Sequence, residues 1–188
     1  MNKPKDCKKI MDIDILVCKN LLGNLNFKYS DENNDLYNRS LFFHGVDCEF
    51  IVNRFKIKDS FQYKNFINFS QDILGKLKEM YGPGKLWNIQ LARMKGGAKI
   101  LPHVDIGIDF ALSHRIHIPL VTNENVTFTV DEKNFYLDVG SVYEINNTKL
   151  HSVVNNADYG RIHIVFDYVG DEYIQYMHTK PKMKLVYS

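Results

Sequence analysis

The sequence predicts a mainly β protein with flanking helices, its strands arranged as a sandwich, a jelly roll or a small barrel. After Lys85 the chain breaks into eight short alternating runs: Leu86–Met94, Ala98–Val104, His114–Val121, Asn125–Val130, Asn134–Leu137, Ser141–Ile145, His151–Val154 and Arg161–Val169. Turn residues part them, at Gly96-Gly97, Gly107, Asn123, Gly140, Asn146-Asn147 and Asn156–Gly160. Many short strands with punctuation of this kind read as an all-β architecture. One clear helical stretch precedes them and supplies the flank.

That stretch is Asn68–Met80, where Ile73, Leu74, Leu77 and Met80 form one apolar face and Ser70 is placed to cap the start. Gly82, Pro83 and Gly84 stop it. Further upstream, Ser30–Asn38 is turn-rich. Residues 1–84 therefore read as an α/β flanking segment packed on a core formed by residues 85–170, within a single domain. Residues 171–188 read as a tail or lid, since Pro181 and its neighbouring lysines suit a core poorly. Within the strands the alternation divides two faces. In His114–Val121, Arg115 and His117 share one face, while Ile116, Ile118 and Leu120 share the other. In the last strand Arg161, His163, Val165 and Asp167 oppose Ile162, Ile164 and Phe166. A solvated outer face favours Lys, Glu and Thr. Repeated Arg, His and Asp fit a polar cavity better, with His163 either lining it or pairing with Asp167.

Composition narrows the function. The chain has 188 residues, 45% hydrophobic and 24% charged, enough for one globular core. Its 24 Lys and Arg against 22 Asp and Glu leave +2, too balanced for a protein that holds nucleic acid by neutralising its backbone. No apolar run is long enough to span a bilayer. Lys3, Lys5, Lys8 and Lys9 imitate the start of a signal peptide, but Asp12 and Asp14 break the apolar run that should follow. The odd set Cys7, Cys18 and Cys48 fits a reducing compartment, so the expectation is a cytoplasmic protein with no membrane or nucleic-acid partner.

The chemistry concentrates in His103-Val104-Asp105 and in His151, forty-eight positions later. On an extended chain residues i and i+2 point the same way, so His103 and Asp105 can meet one ion. If the strand that begins at His151 lies beside the first, the three ligands take one face of an octahedron. Two imidazoles and a carboxylate with open opposite positions favour a redox-active Fe(II) that must also bind a cosubstrate and dioxygen. Zinc uses such ligands too, but the helical HExxH spacing is missing. Arg161 follows ten positions after His151, across the turn NNADYG. A hairpin there would set it on the strand beside His151. A guanidinium in a dry cavity needs an anion, and a dicarboxylate that chelates the metal at one end suits it at the other. 2-Oxoglutarate has that shape.

The pieces PHVD, HRIHIPL, DVGSVYEINNTKLHSVVN and GRIHIVFD, in that order over Leu101–Val169, resemble the aspartyl/asparaginyl β-hydroxylase family of 2-oxoglutarate- and Fe(II)-dependent oxygenases. Bacterial proline hydroxylases are relatives in that broader group. The resemblance implies a double-stranded β-helix core (jelly-roll, cupin-like), with His103, Asp105 and His151 as the iron ligands and catalytic centre. It also implies that Arg161 pairs with the far carboxylate of 2-oxoglutarate, and that Arg115 and His117 lie near its chelating end. Gly140 falls at a turn glycine, and Asn146 and Asn147 fall in the polar segment before the distal His. Some vertebrate members have Gly in place of the carboxylate ligand; Asp105 keeps the full triad, as in the bacterial branch. A carboxylate there also argues against halogenation, which needs that position open. Where those members have Ser eleven positions before the first ligand His, this chain has Ala92, and Gln90 is placed to substitute from the same face.

The implied reaction is hydroxylation of an unactivated C–H bond, with dioxygen consumed and 2-oxoglutarate converted to succinate and CO2. The implied substrate is an Asp, Asn or Pro residue in a peptide, or a free amino acid. The residues alone also admit a cupin-like metal-binding or sensing protein without turnover, or an interaction module that takes no metal. The metal-binding reading has no use for Arg161 or for the Arg115–His117 pair.

Overall fold

The computed structural model describes residues 3–24 and 43–178. The turn-rich Ser30–Asn38 segment and residues 179–188 of the tail lie outside the described residues, as do the side chains of His44 and His178. In chain order the elements are β1 (Cys7–Asp12), α1 (Ile15–Asn24), β2 (Phe43–Asn53), β3 (Lys56–Ile57), α2 (Ser60–Phe69), α3 (Gln71–Tyr81), β4 (Gly84–His103), α4 (Ile108–Ala111), β5 (His114–Val121), β6 (Val126–Val130), β7 (Lys133–Phe135), β8 (Ser141–Ile145), β9 (His151–Asn155), β10 (Arg161–Gly170) and α5 (Asp171–His178). The strands make one antiparallel sheet in the order β1-β8-β5-β10-β4-β9-β6-β7, with β2 on β4 and β3 on β2. It curls into a nearly closed jelly roll.

The alternation seen in the sequence sets which side of this sheet is buried against what. Ile116, Ile118, Leu120, Ile164 and Phe166 point outward and meet Phe66, Ile73 and Leu77 from the helices. Val46, Ala92, Met94, Phe128, Val153 and Val165 point inward and form a second cluster inside the roll. Amphipathic helices on one face and a partly polar interior on the other are what the two faces of β5 and β10 require.

The helix expected over Asn68–Met80 divides at Ser70. α2 starts at the cap Asp59, whose carboxylate accepts a hydrogen bond from the Gln62 amide at 2.9 Å. Ser70 stands at the junction and starts α3, but its side chain makes no capping bond. Ile73 and Leu77 are fully buried, as the apolar face demands.

Two expectations on the strands are corrected. Leu86–Met94 and Ala98–Val104 are one strand, the 20-residue β4, which runs through the two glycines instead of turning at them. Gly97 takes φ +71°, bending the strand without ending it. The connection from β9 to β10 is also not a hairpin, because β4 lies between the two strands. The turn passes over β4 at Gly96, where a Cβ would stand 2.4 Å from the Asp158 carbonyl oxygen. Asn155 pins it by donating to the carbonyls of Lys95 (3.0 Å) and Tyr159 (2.9 Å).

Upstream of residue 85 the chain supplies β1 and β2, which pair directly with β8 and β4 as members of the same sheet. No helix among the described residues is long and apolar enough to cross a membrane.

Candidate active site

β4 and β9 pair with His103 directly opposite His151. Asp105 lies two residues beyond the end of β4, and its backbone N–H donates to the Asn147 carbonyl at 3.0 Å. One donor atom from each of His103, Asp105 and His151 falls within 4.8 Å of the others. Metal–ligand bonds of roughly 2.0–2.2 Å join donors a little closer than this, so small side-chain shifts suffice. The histidine rings are 4.2 Å apart between centroids.

The surroundings turn each donor inward. His103 Nδ1 bonds the Leu101 carbonyl at 2.8 Å, and His151 Nδ1 bonds the Lys149 carbonyl at 2.9 Å. A carbonyl can only accept, so each Nδ1 carries the proton and each Nε2 presents a lone pair. His103 Nε2 lies 3.7 Å from Asp105 Oδ1. The second oxygen, Oδ2, accepts from the Arg115 guanidinium and from Asn147 Nδ2 at 3.0 Å. Burial works to raise the Asp105 carboxyl, but Arg115, the two imidazoles and Asn147 outweigh it and hold it below the usual range. Burial lowers His151, keeping it neutral and able to bind a cation. This donor set fits a divalent transition metal: two neutral imidazoles and one anion on one side, with the cavity opposite.

That cavity has a volume of about 160 Å³ and extends into the roll from the triad, past His117 and Gln90, to Arg161. Arg161 is 2% exposed. Its Nη1 lies 3.7 Å from Met94 Sδ, and its Nε has no hydrogen-bond partner among the described residues. Burial lowers its pKa to about 10. An uncompensated buried guanidinium is costly, and an anion in the cavity would relieve the cost. His117 also lines the cavity, and its Nδ1 has no hydrogen-bond partner among the described residues. Burial first, then Arg161 and Arg115, keep it neutral.

Arg115 stands in the cavity wall but is engaged by carboxylates. Besides Asp105 it donates to Asp167 from Nε (2.9 Å) and Nη2 (3.1 Å), and Asn88 Nδ2 donates to Asp167 at 2.9 Å. Asp167 therefore does not pair with His163. Four residues on an extended strand span roughly 13 Å, whereas Arg115 sits opposite Asp167 in register. His163 is instead buried with neither ring nitrogen partnered among the described residues, its ring 5.8 Å from that of His117.

Sequence reasoning missed the parts that hold these side chains. Asn147 shows in the sequence only as a polar position, and Asn88 carries no signal. Nor does the sequence connect His114 to a partner. Its Nδ1 lies 2.5 Å from the buried Glu144, and Tyr81 stacks on its ring while donating to Glu144. This cluster lies outside the cavity wall.

Several solved structures share this fold. The chain is similar to a viral collagen prolyl hydroxylase from Paramecium bursaria Chlorella virus-1, solved with 2-oxoglutarate, at 13% identity and TM-score 0.57, over 88% of this chain and 97% of that one. It is similar to HygX of Streptomyces hygroscopicus, solved with nickel and 2-oxoglutarate, at 11% identity and TM-score 0.61, over 88% and 83%. A third is a prolyl hydroxylase of Trichoplax adhaerens in complex with a hypoxia-inducible-factor peptide, at 13% identity and TM-score 0.51, over 88% and 80%. No curated protein matches the sequence. A family model, together with these neighbours, sets the class as a 2-oxoglutarate- and Fe(II)-dependent oxygenase. The family model for aspartyl/asparaginyl β-hydroxylase matches residues 71–170, more than half of the sequence, and the chain belongs to that family.

Proposed function

We propose that His103, Asp105 and His151 hold the ferrous ion and that Arg161 binds the far carboxylate of 2-oxoglutarate, so that a C–H bond of an amino-acid residue is hydroxylated at the cavity mouth. When bound, iron and 2-oxoglutarate supply the oxidising chemistry: with dioxygen, the keto acid is decarboxylated to succinate and CO2 while one oxygen atom enters the substrate. The observation that carries the reading is Arg161, buried without a carboxylate partner among the described residues in the same cavity as the triad.

Each residue has a distinct part. His103 and His151 donate Nε2, with the carbonyls of Leu101 and Lys149 fixing the tautomer. Asp105 donates Oδ1, because Arg115 and Asn147 already occupy Oδ2. Arg161 orients the keto acid by its remote end, and His117 lines the same cavity between Arg161 and the triad. Arg115 acts near the chelating end through its grip on Asp105. The inward apolar side chains Phe128, Val153 and Val165 keep water from the reacting centre.

The substrate in this reading is an Asp, Asn or Pro residue of a peptide, or a free amino acid. Exposed Val104, Ile106 and Leu150 flank the three donors in sequence and offer an apolar rim for either. The thiols of Cys7, Cys18 and Cys48 form no disulfide, in keeping with a reducing, cytoplasmic setting.

Succinate release from 2-oxoglutarate with added Fe(II), compared between the wild type and His103→Ala, tests the assignment. Release is expected in the first and loss in the second; equal rates would end the reading. Screening amino acids and short Asp-, Asn- or Pro-containing peptides for a mass gain of one oxygen atom then identifies the substrate.

A further inference from the structure

The loop between β8 and β9 carries two groups that act on the proposed ligands: Asn147, whose side chain and carbonyl both bond Asp105, and Lys149, whose carbonyl bonds His151. The first described residues of the chain lie along this loop. Asn146 donates to the Pro4 carbonyl from Nδ2 at 2.9 Å, and to the Asp6 carbonyl from its backbone at 2.8 Å. The Asp6 carboxylate, 7% exposed, accepts from Lys149 Nζ at 3.2 Å and from Lys133 Nζ. Lys3 reaches furthest in. Its Nζ donates to the Ser113 carbonyl at 2.6 Å and to Asn147 Oδ1 at 2.9 Å.

An amide side chain has one acceptor end and one donor end. With Lys3 on Oδ1, Asn147 must present Nδ2 to Asp105 Oδ2, which leaves Oδ1 of Asp105 for the ion. Turned over, Asn147 would set an oxygen against a carboxylate oxygen and force Asp105 to swing. Burial lowers the Lys3 ammonium to about 8, so it keeps its full set of donors at neutral pH.

We propose that Lys3 is a positioning residue of the metal centre, acting through Asn147 to hold Asp105 in its one-oxygen ligating orientation. The proposal rests on the metal site proposed above and adds to it a side chain from the far end of the chain. A residue that merely fastens the N-terminus would affect stability alone. One that positions Asp105 must affect ion affinity, and only while Asn147 is present.

Co(II) serves as the probe, titrated into the full-length apoprotein and followed by its visible absorption. Removing an outer partner of a metal ligand typically weakens binding by about 10-fold to 100-fold. Lys3→Met is therefore expected to weaken Co(II) binding roughly tenfold while thermal unfolding of the apoprotein stays cooperative. Lys3→Arg, which retains donors, is expected to recover most of the affinity. In an Asn147→Ala background, Lys3→Met should add little further loss. Wild-type affinity in Lys3→Met overturns the proposal, as does full additivity with Asn147→Ala. His103→Ala controls for the site itself. If it binds Co(II) as the wild type does, the metal-site reading fails and this proposal with it, a result distinct from a bound ion that ignores Lys3.

Discussion

Arg161 and His163 stand two residues apart on one face of β10, both buried, and their neighbours treat them differently. Arg161 borders the cavity, whereas His163 is enclosed between β4 and β5 with no hydrogen bond to either ring nitrogen among the described residues. Truncating one partner of a buried charge pair costs about 2–5 kcal/mol, so Arg161→Met is expected to weaken 2-oxoglutarate binding about 30-fold or more. Calorimetric titration in the presence of Mn(II) measures this, and Mn(II) affinity itself should change little. His163 matters for acid stability instead. Burial first, and Arg161 next, hold its pKa well below 6.5. Between that lowered value and 6.5 the unfolded chain takes up a proton that the native state refuses, so stability falls as pH drops below 6.5. One such group sets a slope of at most about 1.4 kcal/mol per pH unit. His163→Leu is expected to flatten the decline in urea midpoint between about pH 7 and pH 5.5; an unchanged decline would assign it to other groups. The triad was legible because its members are rare residue types at an unusual spacing. Asn147 and Lys3 were not, since a common polar residue gains meaning only from what it touches.

At the level of elements, periodicity spoke clearly and punctuation misled. The apolar face of α3 and the two faces of β5 and β10 follow directly from their spacing. The Gly96-Gly97 pair carries an ordinary turn signal, yet β2 and β9 both pair with the following stretch and keep β4 continuous. The glycines serve a close crossing and a bend. Gly96→Ala would place its Cβ against the Asp158 backbone, and is expected to cost about 1–3 kcal/mol. Because the displaced turn leads into Arg161, weaker 2-oxoglutarate binding should accompany the loss. Gly75 supplies the contrast. It lies exposed within α3, and a Cβ added there would meet nothing within 4 Å. Gly75→Ala should therefore stabilise the protein by about 0.5–1 kcal/mol. Chemical denaturation of the two variants checks both signs.

For the molecule as a whole, the sheet binds the proposed metal ligands and Arg161 into a single body. β4 carries His103 near its end, pairs with the strand of Arg161 along its first half, and meets His151 across its last residue. Metal and keto acid, held as proposed, would report to the same framework, and both should register in global stability. A ligand at a hundred times its dissociation constant adds about 2.7 kcal/mol, roughly 5–11 °C for a chain of this size. Mn(II) with 2-oxoglutarate is expected to raise the melting temperature by an amount of this order. Arg161→Met should keep the gain from Mn(II) and lose the increment from the keto acid. The long-range pairing that builds this framework was beyond sequence reading. The strand Cys7–Asp12 has no strong alternation of its own and owes its extended form to Ser141–Ile145, its partner in the sheet. The same pairing has a consequence for biosynthesis. Cys7–Asp12 leaves the ribosome before Ser141–Ile145 and must wait for it, well over a hundred positions later, before it can settle. Closure of the sheet around the cavity is thus a late folding event, and protection of the Cys7–Asp12 amides from hydrogen exchange is expected no earlier than that of Ser141–Ile145.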